Sequence, residues 1–292
     1  MVKEKRLHKR NKFTIADVVI YAVLGLLTLS MIIPFLNVIA ISLSDYKSVV
    51  QDKGMLWPKN FNVSAYSIMF NPEIYRAMLV TIFSTVVGTL LHIAVCIMAA
   101  YALSKKFLPG RKFMLLFVII TMLFSGGLIP YYFVIRDLGL ADTIWVYILP
   151  GAAGAYTIVM MKNFLLQIPS SLEEAARIDG ASYFYILWRI IVPLSKPIIA
   201  TLALFYGVGR WNDWFTAVLF VNNKDLYTIQ NVLRDMIVQN NMAAFGPVNL
   251  DEVFTESVKM AAIVVSTVPI MLVYPFLQKY FVKGIFMGSV KE

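Results

Sequence analysis

The stretch that decides the fold reads SLEEAARIDGASYFYILWRIIVPLSKP and covers residues 171–197. It begins with polar and charged residues and lies between long apolar runs. Ser171 with Glu174 three residues later is a capping box, so a helix should begin at this serine. Glu173 lies in the predicted first turn, where an acid suits the positive end of the helix dipole. Gly180 is suited to the left-handed conformation that ends many helices.

A second helix is predicted immediately after the glycine turn. Ser182 can cap its start, and Pro193 should end or kink it because proline lacks a backbone N–H. The stretch therefore predicts a short surface helix, a tight turn and a second helix that leads into the next apolar run. On local physics alone, an ordinary helix-turn-helix connector remains an open interpretation.

The composition of the 292-residue chain places this stretch in a membrane protein. Hydrophobic residues make up 59% of the chain and charged residues only 15%, whereas a soluble domain carries about 25% charged residues. Mean hydropathy is +0.73, and apolar runs long enough to cross about 30 Å of hydrocarbon recur along the chain. The net charge of +9 then reflects lysine and arginine in cytoplasmic loops rather than nucleic-acid binding.

Hydropathy and charge together predict an all-α polytopic protein with six transmembrane helices and both termini in the cytoplasm. A basic cytoplasmic N-terminus covers residues 1–14, the transmembrane domain residues 15–281 and a cytoplasmic tail residues 282–292. The loop at residues 105–112 is short and basic, and the loop at 167–196 lies on the same side by alternation. The spans are predicted at approximately residues 15–42, 77–103, 113–134, 143–166, 197–221 and 260–281.

The third span is interrupted by Ser125, Gly126, Gly127 and Pro130, and Tyr131 follows directly. Non-helical backbone at membrane depth is tolerated only where protein covers it or where it lines a water-filled cavity. The interruption is therefore predicted either to pack against a neighbouring helix or to line a pathway, and the sequence leaves both open.

The fifth span holds ionisable residues, which are costly inside a membrane. Arg210, Asp213 and Trp214 lie at i, i+3 and i+4 and so share a helix face, with Trp211 and Asn212 beside them. One interpretation is an Arg210–Asp213 pair that locks two helices, or an aromatic interface belt formed by the two tryptophans. The other is a role in a pore or in docking.

Residue types that carry metal, redox or catalytic chemistry are scarce. Cys96 is the only cysteine, and His8 and His92 are the only histidines, so a disulfide within the chain and a cysteine metal cluster are excluded. The sequence contains no Gly-x-x-x-x-Gly-Lys-[Ser/Thr] motif, so the chain cannot bind ATP through a P-loop. We therefore predict that it is not an enzyme and holds no cofactor or metal.

The stretch at 171–197 resembles a known family motif. Glu174, Ala175 and Ala176 are followed at fixed intervals by Gly180, Ile190 and Val192-Pro193, which resembles the EAA motif of ABC importer permeases. The departure is Val192, where the motif has leucine. The longer form from Glu173 through Arg177, Asp179 and Ala181 is similar to the carbohydrate-uptake branch, which includes the maltose permease. The segments at 125–130, 211–215 and 281–284 are similar to oligosaccharide permeases, and the resemblance covers essentially the whole chain.

The resemblance implies a type I ABC importer permease fold, also called MetI-like, in the bacterial plasma membrane. It implies that the helix from Glu173 to Asp179 is a coupling helix seated in a cleft of a separate ATPase subunit, with Glu173, Glu174 and Arg177 as exposed docking charges. Closure of two ATPase copies, which bind ATP and Mg²⁺, would then rock the spans between inward- and outward-facing states. The other implied partners are a second, homologous permease, an external sugar-binding lipoprotein, membrane lipid and an oligosaccharide.

Two other classes of function remain as alternatives. A stand-alone secondary transporter would need its own coupling-ion site, and Asp213 is the one obvious acid within a span. A membrane receptor or assembly protein would need no transport at all. The sugar is not defined by these residues, although the subgroup resemblance implies oligosaccharides, including ones that contain uronate.

Overall fold

The computed structural model describes residues 14–238 and 255–287, and every regular element in these ranges is helical apart from one isolated bridge between Ser44 and Phe61. Short 3₁₀ turns cover Ile68–Phe70, Ile144–Tyr147 and Lys224–Leu226, and a π-turn covers Leu187–Ile191. The α-helices are α1 (Ile15–Ser42), α2 (Tyr46–Gln51), α3 (Ser64–Ser67), α4 (Pro72–Ser104), α5 (Arg111–Leu123), α6 (Leu128–Asp137), α7 (Ala155–Leu165), α8 (Ser170–Ile178), α9 (Tyr183–Ile186), α10 (Val192–Leu194), α11 (Lys196–Trp211), α12 (Phe215–Phe220), α13 (Ile229–Val238) and α14 (Thr255–Met287).

The described residues divide into two compact units, one made of residues 14–67 and 255–264, the other of residues 68–238 and 265–287. In the first unit, the Asn37 side chain of α1 donates to the carbonyls of Lys53 (2.9 Å) and Met55 (2.8 Å). These bonds hold the segment after α1 against the helix end. A hydrogen bond from the Lys59 ammonium, 2.8 Å from Asp52 Oδ2, lowers the pKa of that carboxyl group.

The core of the second unit is built around α4. Its residues Cys96, Ile97 and Ala100 are buried against α7, and residues from the turns before α11 and from α11 itself complete the cluster. Small residues on α4 allow this close approach between helices. Helix α7, helix α9 and the π-turn contribute Ile158, Met161, Leu165, Ile186, Leu187 and Ile191 to the cluster.

Three described helices are long and apolar enough to cross a membrane, within Ile15–Ser42, Pro72–Ser104 and Glu256–Val273. Two bent pairs raise the number to five if each pair counts as one span. The pair of α5 and α6 bends by 114°, and the pair that ends with α11 bends by 81°. The break predicted in the third span is confirmed, whereas the six-span count and the side on which each terminus lies stay predictions.

The predicted fourth span is not one helix. Residues 144–147 form a 3₁₀ turn, residues 148–154 form no α-helix, and α7 is only 11 residues long, or about 16 Å. Pro150, Gly151 and Gly154 explain the difference, because proline removes a helical hydrogen bond and glycine is costly in a helix. A hydropathy average detects that this segment is apolar, but it does not detect where the helix is interrupted.

The predicted fifth span is also divided. Helix α11 ends at Trp211, and α12 begins only at Phe215. Asp213 therefore lies outside both helices and does not share one continuous helical face with Arg210. The Thr216 N–H, in the first turn of α12, donates to Asp213 Oδ1 at 3.1 Å, and this bond stabilises the new helix start.

Candidate functional site

Helix α8 begins at Ser170, and its N-cap is Pro169, two residues before the predicted N-cap Ser171, with no side-chain cap. The predicted capping box is therefore wrong, because Ser171 is already inside the helix and its side chain does not cap it. Pro169 has φ −57° and ψ 129°, an extended entry that the proline ring favours. Glu173 lies in the first turn and Arg177 in the last, in agreement with the helix dipole.

The end of α8 is a Schellman motif centred on Gly180. The Ala181 N–H donates to the Ala176 carbonyl at 2.9 Å, and the Gly180 N–H donates to the Arg177 carbonyl at 3.0 Å. Gly180 has φ +84°, which confirms the predicted left-handed residue. A side chain at this position would strain the turn even though nothing lies within 4 Å of its Cβ.

The second predicted helix is present and is distorted where Pro193 requires it. The Ser182 hydroxyl accepts from the Tyr185 N–H at 3.2 Å, which confirms the predicted cap. The helix then widens into the π-turn, in which the Val192 N–H donates to the Leu187 carbonyl. Pro193 cannot supply the N–H for another helical bond, and the 81° bend follows after Leu194.

The inner face of α8 is attached to the end of α4. The Lys105 ammonium forms a salt bridge with Glu173, and the side chains are only 15% and 20% exposed. The Tyr101 hydroxyl donates to Glu173 Oε2 at 3.4 Å, and Lys105 lies 4.0 Å from the Tyr101 ring centroid. Ala176 packs against the core on the same face. Glu173 is thus not an exposed charge, and that part of the prediction is wrong.

The outer face of α8 is apolar and exposed. Leu172, Ala175 and Ile178 follow one another at three-residue intervals, and Ile178 is 88% exposed. Glu174 is exposed near them. Arg177 lies over the Tyr183 ring at 4.5 Å and donates to its hydroxyl, so its charge is partly held by the second helix. An exposed apolar stripe on a rigid helix is a surface suited to a protein partner.

The Arg210–Asp213 pair forms as one interpretation of the sequence predicted. Arg210 lies 2.9 Å from Asp213 Oδ2 and also donates to the Tyr147 carbonyl. Asp213 accepts a further bond from the Thr216 hydroxyl at 2.6 Å. The pair therefore connects the end of α11 with the 3₁₀ turn before α7 and with the start of α12.

The two tryptophans of the possible interface belt differ in burial. Trp211 is only 7% exposed and donates through Nε1 to the Ser266 carbonyl at 3.0 Å. Trp214 is 42% exposed and lies under the Arg234 guanidinium at 5.1 Å. Trp211 thus packs inside the protein, because its N–H finds a partner on α14. Asn212 donates to the Val208 carbonyl at 3.0 Å.

The break in the third span is exposed within the described residues. A Cβ on Gly126 would meet nothing within 4 Å, and Gly127 has φ +89°. Pro130 lies in the first turn of α6, and Tyr131 lies edge-on to Phe220 at 5.7 Å. Whether this break packs on a neighbour or lines a pathway remains a prediction.

Sequence reasoning missed a buried polar contact at the break before α7. His92 of α4 is 3% exposed; its Nδ1 lies 2.7 Å from the Gly151 carbonyl oxygen and its Nε2 lies 2.9 Å from Thr157 Oγ1. A histidine within an apolar span was the available signal, but its partners lie 59 and 65 residues away. The described residues hold no group of three or more histidines, cysteines or acids that could bind a metal.

Comparison with known proteins places the whole chain in one family. The sequence model of the family described as "Binding-protein-dependent transport system inner membrane component" matches residues 13–287. The chain is 42% identical to the polygalacturonan/rhamnogalacturonan transport system permease protein YtcP of Bacillus subtilis (strain 168), over 94% of this chain and 98% of that protein. It is 43% identical to protein LplC of the same organism, over 96% of this chain and 95% of that protein.

Solved structures include a similar chain. One belongs to a bacterial ABC transporter involved in the import of the acidic polysaccharide alginate, with a TM-score of 0.86, 34% identity and coverage of 92% of this chain and 99% of that one. Another belongs to a bacterial alginate ABC transporter in complex with an alginate pentasaccharide-bound periplasmic protein. It matches at a TM-score of 0.56 and 15% identity, over 90% of this chain and 93% of that one, and shows a shared fold alone.

Proposed function

Because the chain belongs to the family of binding-protein-dependent transport system inner membrane components, we propose that it is a permease subunit of an ABC importer for oligosaccharides. It is a multi-pass protein of the bacterial plasma membrane and a transport permease rather than an enzyme.

The observation that carries this proposal is the construction of α8. The helix is fixed at its inner face by the Lys105–Glu173 salt bridge and at its end by the Gly180 turn. Its outer face presents Leu172 and Ile178 to the surroundings. A short helix held at two places moves as a rigid body. We therefore assign residues 173–179 as a coupling helix that sits in a cleft of an ATPase subunit.

The energy source lies in partner subunits. The chain has no P-loop, so ATP and Mg²⁺ would be bound by two separate ATPase copies. A second, homologous permease would complete the membrane part, and an external sugar-binding lipoprotein would deliver the substrate. The geometry of Asp213 argues against an ion-coupled transporter, because its carboxylate already bonds Arg210 and Thr216.

The substrate proposed is an acidic oligosaccharide. The relative YtcP is named as a polygalacturonan/rhamnogalacturonan transport permease. A similar solved structure belongs to an importer of the acidic polysaccharide alginate. Both names describe polysaccharides with uronate units, and this shared chemistry supports a uronate-containing oligosaccharide for this chain.

Purification and uptake measurements test the proposal together. The detergent-solubilised protein should co-purify with an ATPase subunit and a second permease. In proteoliposomes that contain the assembled complex and its binding protein, uptake of oligogalacturonate should stop when ATP hydrolysis is blocked with vanadate. Uptake that persists under vanadate, from a protein that carries no ATPase subunit, would return the function to a secondary transporter.

A further inference from the structure

The non-helical segment at residues 148–154 is held by a cluster that the proposed function does not use. We call this cluster the His92 clamp, and it consists of His92, Tyr206, Gly151, Gly154 and Thr157. The imidazole bonds the Gly151 carbonyl and the Thr157 hydroxyl. Its ring stacks on Tyr206, with centroids 3.8 Å apart and planes inclined by 14°. A side chain of α4 thus satisfies backbone that the break leaves without a helical partner.

The two glycines of the His92 clamp have no room for a side chain. A methyl group on Gly154 would lie 2.6 Å from His92 Cε1, and one on Gly151 would lie 2.5 Å from the Tyr206 hydroxyl oxygen. Neither glycine has positive φ, so close approach rather than backbone conformation requires glycine here. The Tyr206 hydroxyl itself is buried and has no hydrogen-bond partner among the described residues.

The segment held by the His92 clamp leads through α7 and residues 166–169 into α8. Backbone hydrogen bonds at Leu166, Gln167, Ile168 and Leu172 follow one another from the end of α7 into α8. The apolar core between α4 and α7 lies along this path. Nine residues after His92, Tyr101 reaches Glu173 of α8, which is a distance of about 14 Å along the helix. Helix α4 therefore holds the α7–α8 segment at both ends.

We infer that His92 is a positioning residue for transport, which fixes the broken segment so that α7 and α8 follow α4 as one body. The inference rests on the proposed function, because it assigns His92 a part in carrying motion from the ATPase to the spans. Without the two imidazole hydrogen bonds, the segment at 148–154 can bend. A displacement of α8 by the ATPase then bends this segment and does not move the spans.

The first test replaces His92 in the assembled importer. His92→Leu removes both hydrogen bonds, and His92→Gln keeps a donor and an acceptor. We expect uptake and binding-protein-stimulated ATPase activity to fall about tenfold in His92→Leu, whereas basal ATPase activity stays and His92→Gln recovers most of the stimulated rate. Wild-type stimulation in His92→Leu, or equal losses in both variants, would overturn the inference.

The second test measures the accessibility of Cys96, beside the His92 clamp, and needs no transport assay. Cys96 is the only cysteine of the chain, is fully buried, and lies 3.4 Å from the Gly154 nitrogen, which donates to its sulfur. Alkylation by N-ethylmaleimide, followed by the intact mass of this chain, should be about tenfold faster in His92→Leu than in the wild type. Equal rates would show that His92 does not hold the segment.

A steric rescue at Gly151 tests the clamp with His92 left in place. Gly151→Ala should speed alkylation of Cys96, because its methyl group meets the Tyr206 hydroxyl. Combination with Tyr206→Phe should reverse most of this change, since the nearest remaining ring atom is 3.4 Å away. Gly88→Ala is the matched control, because its methyl group would lie 3.8 Å from the same hydroxyl and should change nothing.

The outcomes separate this inference from the proposed function. If the wild-type complex does not transport but the alkylation and rescue results are as expected, the proposed function fails and the clamp remains. If the wild type transports but Cys96 is alkylated at the same rate in Gly151→Ala as in the wild type, the clamp is wrong and the proposed function remains.

Discussion

Two breaks in apolar segments differ in what covers them. The break at 148–154 is enclosed by α4 and α11, with Ile148 fully buried and His92 bonded to Gly151. The break at 124–127 is exposed in the described structure, and Phe124 is 72% exposed. Both contain glycine, so the same residue type marks an internal packing site in one place and an open surface in the other.

The difference bears on the partners of the chain. Lipid cannot satisfy irregular backbone, so a break at membrane depth must be covered by protein or lie beside water. This chain covers the break at 148–154 itself. The described residues do not cover the break at 124–127, so either a partner such as the second permease of the proposed complex covers it or it lies beside water. A third break, at 212–214, lies between these extremes and is held by the Arg210–Asp213 pair.

The largest expected effect is at Gly154. Gly154→Ala forces a methyl group against His92, and overpacking of this kind costs up to about 3 kcal/mol. Thermal denaturation of the detergent-solubilised complex should show a clear loss of stability. An unchanged melting temperature would show that the break at 148–154 is no more tightly enclosed than the exposed one.

The next effect is at Asp213. Asp213→Ala leaves Arg210 half-buried without its carboxylate and removes two bonds to Thr216, a loss of about 2 kcal/mol. Uptake should fall with stability. Asp137→Ala is the matched control, because its pair with Arg136 is exposed and contributes about 0–1 kcal/mol. Wild-type stability and transport in Asp213→Ala would show that the Arg210–Asp213 pair does not hold the break at 212–214.

A smaller effect is expected at Gly127. Its φ of +89° with ψ of 168° lies in a region that is essentially restricted to glycine, so Gly127→Ala should cost about 1–2 kcal/mol through backbone strain alone. Proteolytic susceptibility of the segment between α5 and α6 measures this change. If Gly127→Ala were as stable as the wild type, the backbone there would be free to change its conformation.

The smallest effect is at Gly126. Because a Cβ there meets nothing within 4 Å, Gly126→Ala should change the stability of the isolated chain by no more than about 0.5 kcal/mol. Gly126→Trp should instead reduce co-purification of the second permease, since the added ring occupies the exposed break. Normal assembly of Gly126→Trp would show that no partner covers this surface.

The features predicted correctly from sequence are those that neighbouring residues determine. Gly180, Ser182 and Pro193 act within a few residues of themselves, so their turn, cap and bend could be read directly. The capping box was wrong for a local reason as well, because Pro169 is the N-cap, two residues before Ser171.

The features that were missed depend on distant partners. Glu173 was predicted to be exposed, but its partner Lys105 lies 68 residues away. An interface belt was one interpretation for Trp211, but Trp211 is buried and donates to a carbonyl 55 residues away. The break within the predicted fourth span was not anticipated because hydropathy averages over Pro150 and its neighbouring glycines. Contacts of this kind follow from how helices pack, which one sequence does not specify.

The central claim is that α8 carries motion from an ATPase to the spans, and Gly180→Pro tests it most directly. Proline cannot adopt the φ of +84° at Gly180 or donate its N–H to Arg177. ATPase activity and oligosaccharide uptake should be measured in the reconstituted complex. We predict normal membrane insertion with loss of uptake and of binding-protein-stimulated hydrolysis. Normal stimulated hydrolysis coupled to uptake in Gly180→Pro would contradict the account.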